Sequence, residues 1–200
     1  MAIINQLEQH TAVPKTRINC SDPLAVKKFS WDLTYKLLKC GLKPGRPVVL
    51  VCIGTDRSTG DCLGPLVGSK LSEIGQDFFE VYGTLENPVH GGNLEEKLDE
   101  INKCYHNPLI IAVDASLGQL DNVGCVNIAT GALKPGAGVH KKLPAVGDIH
   151  ITGVVNVGGF MEYMVLQNTR LNLVMQLANL ISDGLLATIV EYKQTKAQGM

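Results

Sequence analysis

Strong charge of either sign is missing from this chain. Its 200 residues carry 18 Lys and Arg against 19 Asp and Glu, a formal net charge of −1. That balance sets up no field to recruit nucleic acid or an anionic membrane, and no basic stripe with interleaved aromatics is present. Paired cysteine motifs are missing too. Cys20, Cys40, Cys52, Cys62, Cys104 and Cys125 form no Cys-x-x-Cys element, which argues against a zinc cluster or a disulfide frame and for reduced thiols in the cytosol. The opening Met1–Glu8 lacks the basic-then-apolar layout of a signal peptide. The final apolar stretch is interrupted by Asn172, Gln176, Asn179 and Asp183, so it reads as an amphipathic helix and not as a membrane span. These absences predict a soluble, cytoplasmic protein with neither nucleic acid nor membrane as partner.

What is there suits one globular domain. Hydrophobic residues make up 45% and charged residues 18%, enough to build a core at this length. Residues 1–20 have weak periodicity and read as an extended arm. Ser21-Asp22-Pro23 starts a helix that runs to about Cys40 and ends at Gly41, with Trp31, Leu33, Leu37 and Leu38 as its apolar face. Val48–Ile53 reads as a buried strand, 61–74 as a helix with Leu63, Val67, Leu71 and Ile74 inward, and Phe78–Leu85 as a second strand. Asn93 looks like the cap of a helix through Lys103. Leu109–Val113 and Val123–Ile128 read as strands three and four. Residues 131–147, rich in Gly, Pro and Lys, form a loop too long for a simple turn. Ile149–Val157 and Phe160–Leu166 flank Gly158-Gly159 as a hairpin. Thr169–Tyr192 closes the chain as a long helix, with a frayed tail from Lys193. Strands alternating with helices predict a three-layer α/β/α sandwich on a mixed, mostly parallel sheet.

Two aspartates stand out because each closes an apolar run. Asp61 ends the segment that begins Val48-Val49-Leu50-Val51-Cys52-Ile53-Gly54, and Asp114 ends Leu109-Ile110-Ile111-Ala112-Val113. In open α/β sheets chemistry collects outside the carboxyl ends of strands. Two carboxylates brought there can share a proton, hold a metal or activate water. Each also has a structural reading. Ser58-x-x-Asp61 has a capping-box layout, and Asp114 can form a turn with Ser116. The first loop is glycine-bearing but is neither a Walker A loop nor a Gly-x-Gly-x-x-Gly loop, and no Gly-x-Ser-x-Gly elbow is present. Cys62 reads as a small packing residue. Of the five histidines, His140 in the 131–147 loop is the best candidate for joining the aspartates, and two carboxylates with one His would suit a divalent metal. Lys141 and Lys142 beside it are either oxyanion stabilisers or plain solvated charges.

The stretches Gly54-Thr55-Asp56-Arg57-Ser58-Thr59-Gly60-Asp61-Cys62-Leu63-Gly64-Pro65, Ile111-Ala112-Val113-Asp114-Ala115 and Pro135-Gly136-Ala137-Gly138-Val139 resemble, in this order, three signatures of the germination (spore) protease family. Over residues 45–165 the chain resembles most the YyaC-type sporulation proteins, a shorter branch related to that family, and it is more distantly similar to hydrogenase maturation proteases. The resemblance implies an aspartic-type catalytic pair at Asp61 and Asp114, with no cofactor. The maturation proteases imply instead a metal held by Asp61, Asp114 and His140. Gly54, Thr55, Asp56, His90, Gly91, Gly138 and His140 would line the substrate groove. The implied substrate is a protein or peptide, such as a spore protein, in the forespore or mother cell of a spore-forming bacterium. The chain is shorter than a germination protease and differs around Val139-His140-Lys141, which leaves a non-catalytic binding protein as a third reading. A homo-oligomer is also open.

Overall fold

The structure, a computed structural model, describes residues 15–136 and 143–198. Six strands form one sheet in the order β1-β5-β6-β4-β2-β3. These are β1 (Lys15–Asn19), β2 (Val48–Cys52), β3 (Phe79–Tyr82), β4 (Leu109–Gly118), β5 (Cys125–Thr130) and β6 (Ile149–Val157). The helices are α1 (Ala25–Lys39), α2 (Leu63–Ile74), α3 (Leu94–Cys104), α4 (Glu162–Gln167) and α5 (Leu171–Gln198). β2 pairs in parallel with both β3 and β4, and β4 with β6, whereas β5 runs antiparallel to β6 and β1 antiparallel to β5. The mixed, mostly parallel three-layer arrangement is therefore the observed one.

Two apolar clusters divide the sheet's faces, as the period-two alternation of a strand requires. On one face Leu50, Cys52, Ile111, Val113, Ile128 and Ile151 meet Phe29, Leu33 and Leu37 of α1, Leu63, Val67 and Leu71 of α2, and Leu177, Ile181 and Leu185 of α5. On the other, Val49, Val51, Ile53 and Ala112 meet Leu94 and Ile101 of α3, with Val89 and Val146 from loops. By length and composition α5 could cross a membrane, but Val174, Leu177, Ile181, Leu185 and Ile189 along it are packed into the first cluster. α1 ends where Gly41 adopts φ +82°, with the Gly41 N–H bonded to Leu38 and the Leu42 N–H to Leu37, a Schellman closure.

Several expectations need correcting. The end of the expected N-terminal arm is an edge strand, β1, in register with β5 from Lys15–Ala129 to Asn19–Cys125. Short strands are cheap to add to an existing edge, and Ile18 secures this one by reaching the core. Trp31 and Ile74 lie outside the apolar faces assigned to them, both exposed. In α1 the inward stripe is Phe29, Leu33 and Leu37, spaced i, i+4, i+8, which leaves Trp31 on the solvent side under Lys27. Phe160–Leu166 is no strand. Residues 162–167 form the helix α4, entered through Met161 at φ +53°, and the Glu162 carboxylate accepts the Gly159 N–H at 3.2 Å. The antiparallel part of the sheet is consequently β1-β5-β6, not a C-terminal hairpin. The tail expected to fray from Lys193 is helical through Gln198.

Candidate active site at the carboxyl end of β2

The β2 strand stops where Gly54 takes φ +141°. A Cβ at Gly54 would collide with the Asp61 carbonyl, so only glycine lets the chain fold back this tightly. The Thr55 N–H bonds that same carbonyl at 3.1 Å, and the Asp61 N–H bonds the Ser58 carbonyl at 3.0 Å. Residues Thr59–Cys62 thereby form a 3₁₀ turn that carries Asp61 and leads into α2. The expected capping box is not made. Ser58 caps nothing, and its hydroxyl is buried without a hydrogen-bond partner. Nor does the Asp61 side chain cap α2. Gly64 and Gly68 then let α2 lie directly on Ile53 and Gly83, since a Cβ at either would strike their carbonyls. Asp61 is thus held against the sheet by three glycines. Cys62 is buried in the core, as a packing residue would be, and burial pushes its thiol up, away from the thiolate form.

Asp114 does not close its strand. β4 runs on to Gly118, with Asp114 opposite Thr152 of β6. The turn with Ser116 is therefore absent, and the Ser116 hydroxyl donates to the Gly153 carbonyl at 3.3 Å. What ends near Asp114 is the neighbouring strand. Cys52, the last residue of β2, pairs with Val113, and the Ile53 N–H donates to the Val113 carbonyl at 2.7 Å. Asp114 consequently projects beside the terminus of β2, on the same side as Ala112, and is only 8% exposed.

The two carboxyl groups feel each other. Burial pushes Asp61 up to about 6, against a pull down from the Thr55 N–H. Burial, and then the charge of Asp61, raise Asp114 well above the ordinary carboxylate range, with the Ala115 N–H opposing. Two like charges in one poorly solvated site cannot both ionise cheaply. Both carboxyl groups therefore hold their protons more tightly than an exposed aspartate, Asp114 being the more deeply buried of the two.

Of the expected groove residues, Gly54 and Thr55 are part of the Asp61 turn itself. Asp56 points to solvent beside it, with its carboxylate 3.4 Å from the Thr55 hydroxyl. The 87–93 loop joins them because the Gly54 N–H donates to the Val89 carbonyl at 2.8 Å. That places His90 at the rim. Its Nδ1 accepts the Gly92 N–H at 3.1 Å, and its own N–H donates to the Asn93 side chain at 2.8 Å. The expected cap Asn93 thus folds back onto its own loop. Gly91 faces Leu143. Gly138, His140, Lys141 and Lys142 lie outside the described residues. Among the described residues no group of three or more His, Cys, Asp or Glu side chains is arranged to hold a metal.

Two buried polar residues beside Asp114 escaped the sequence reading. Thr152 accepts from the Asn127 amide at 3.4 Å, and Asn127 accepts from Arg17 Nε at 3.1 Å. Arg17, Asn127, Thr152 and Asp114 are register partners across four adjacent strands. Their signal in the sequence is a polar residue in an inward-alternating strand, which is visible only once strand neighbours are known.

The family described as "Protein of unknown function (DUF1256)" matches residues 17–184, a span that contains every side chain of this site. The Bacillus subtilis (strain 168) protein described as "Uncharacterized protein YyaC" is 53% identical over 183 residues, covering 91% of this chain and 88% of that one. The chain belongs to the DUF1256 family.

Proposed function

We propose that this protein is a peptidase-like hydrolase whose reacting groups are Asp61 and Asp114. The observation that carries the reading is the coupled pair of partly and fully buried carboxyl groups, both displaced upward, beside the end of β2. Asp61, ionised above about pH 6, takes a proton from water. Asp114, kept protonated, donates a hydrogen bond to the scissile carbonyl and stabilises the oxyanion that forms. As the tetrahedral species collapses, the proton on Asp61 passes to the leaving amine. Gly54, Thr55 and His90 line the approach, with the His90 Nε2 free of the Gly92 contact that engages Nδ1. The similarity of the three motif stretches to germination proteases supports a protein or peptide substrate, a spore protein among them, in the cytoplasm of a sporulating cell. No cofactor enters this mechanism.

The test is direct. The purified chain is incubated with extracted spore proteins and a peptide library, and new termini are read by mass spectrometry. Asp61→Asn and Asp114→Asn should each lower cleavage by about 10³-fold. A wild-type chain that cleaves nothing, or a variant at the wild-type rate, sinks the reading. Chelator is expected to leave the rate unchanged. Loss of activity with chelator, restored by a divalent cation, would favour the metal reading with Asp61, Asp114 and His140. Retained binding without cleavage would favour a binding protein.

A further inference from the structure

The segment from β6 into α4 exposes more apolar surface than a lone monomer ordinarily shows. Phe160 is 85% exposed and Leu120 73% exposed, and Val157, Met161, Tyr163 and Met164 are exposed with them. They are neighbours, because the Gly158 N–H bonds the Gly118 carbonyl at 2.8 Å and so brings the Leu120 turn beside Val157. Taking about 150–250 Å² for an aromatic side chain, Phe160 and Tyr163 alone present roughly 300 Å², and Leu120, Val157, Met161 and Met164 add to it. The largest apolar patch on a typical monomer is about 300–600 Å², whereas a stable interface buries about 800 Å² per partner.

The patch is also its own complement. A cleft of about 470 Å³ opens between Val157, Phe160, Met164 and Val165, with Asn156 and Asn168 at its walls. Phe160 stands at the rim of that cleft, almost fully exposed. An isologous contact requires a knob and a hole on the same patch, so that each copy fills the other. Charge near the patch is sparse. Glu162 is the single charged residue in 157–168, its carboxylate is engaged by the Gly159 N–H, and the exposed Asp121 flanks Leu120 at the edge. The other side of α4 is already occupied. A Cβ at Gly60, next to Asp61, would strike Leu166 and Thr169, so α4 lies between the patch and the catalytic turn.

We propose that Leu120, Val157, Phe160, Met161, Tyr163 and Met164 form a two-fold interface with a second copy of this chain. Phe160 of each copy enters the cleft of the other. Sedimentation velocity on the full chain from about 1 to 100 μM should show a species of twice the 21.5 kDa chain mass. Phe160→Glu should raise the dimer dissociation constant at least about 100-fold, and Met164→Glu should act alike. Both sites are exposed, so folding is retained, which circular dichroism checks. Val190→Glu, on an exposed apolar site of α5, should leave the dimer intact. A wild-type chain that stays monomeric at the highest concentration overturns the proposal, even if it then binds apolar peptides. So does a dimer that survives both Phe160→Glu and Met164→Glu, or one that Val190→Glu dissociates.

Discussion

In the proposed reaction the two aspartates take different roles because they differ in what surrounds them. Asp114 lies buried inside a strand opposite Thr152, and Asp61 sits on a turn with one backbone N–H near its carboxyl group. A base must be ionised to work. Below about pH 6 the rate constant kcat/KM should therefore fall tenfold per pH unit as Asp61 takes up its proton. A pH profile with no limb near that value would separate Asp61 from the reaction. The same shift has a stability consequence. Asp61 ionises near 3.8 when unfolded and near 6 when folded, so the folded state holds the proton more tightly. Its contribution is fully present below 3.8 and is lost as pH rises through about 6. At pH 7 this costs at most about 3 kcal/mol, less for the solvent that Asp61 still meets. Asp61→Asn should then be more stable than wild type at pH 7 by about 1–3 kcal/mol, with the gain fading toward pH 4. Asp114 is shifted in the same direction, so Asp114→Asn should also gain stability from pH 4 to pH 7 relative to wild type. Urea unfolding at pH 4 and pH 7 measures both, and a variant less stable at pH 7 than at pH 4, each relative to wild type, contradicts the assignment.

At the scale of elements, the site depends on how closely α2 lies on the sheet. Gly64 and Gly68 have no room for a methyl group, because Ile53 and Gly83 occupy it. Gly64→Ala must push α2 outward, and the Asp61 turn is covalently continuous with that helix. Overpacking of this kind costs about 1–3 kcal/mol. The expected result is a lower Tm together with a lower kcat, since the carboxyl pair loses its spacing. A Gly64→Ala chain with wild-type Tm would show that α2 is not tightly seated. β4 makes the complementary contribution. By continuing past Asp114 to pair with β6, it holds Asp114 on sheet backbone opposite Thr152.

At the scale of the whole molecule, one face of the sheet carries the larger core. α1 and α5 close on each other where Gly184 faces the Phe29 ring, leaving no space for a Cβ. Gly184→Ala should destabilise the protein by about 1–3 kcal/mol while leaving the pH profile of any activity unmoved, because the contact is on the face away from Asp114. Thermal unfolding and a pH–rate profile on the same variant check both halves. The proposed two-fold contact through α4 belongs to this scale too. It would place the second copy against the helix that backs the Asp61 turn.

Much of this protein was legible in its residues alone. The apolar runs Val48–Cys52 and Leu109–Val113, the α1 stop at Gly41 and the long closing helix are local patterns, set by periodicity and by backbone-permissive glycine. The two aspartates were visible for the same reason, as charges at the end of apolar runs. Tertiary structure alone decided the rest. The β4 strand outruns its apolar stretch because β6 offers Gly153–Val157 as partners, and strand length depends on that neighbour. Phe160–Leu166 became a helix because Met161 and Glu162 close its first turn, a geometry that short apolar segments do not advertise. Asn127 and Thr152 joined the site, and Asp61 and Asp114 became unequal, through strand order and burial. Both are long-range properties, and no window of local sequence contains them.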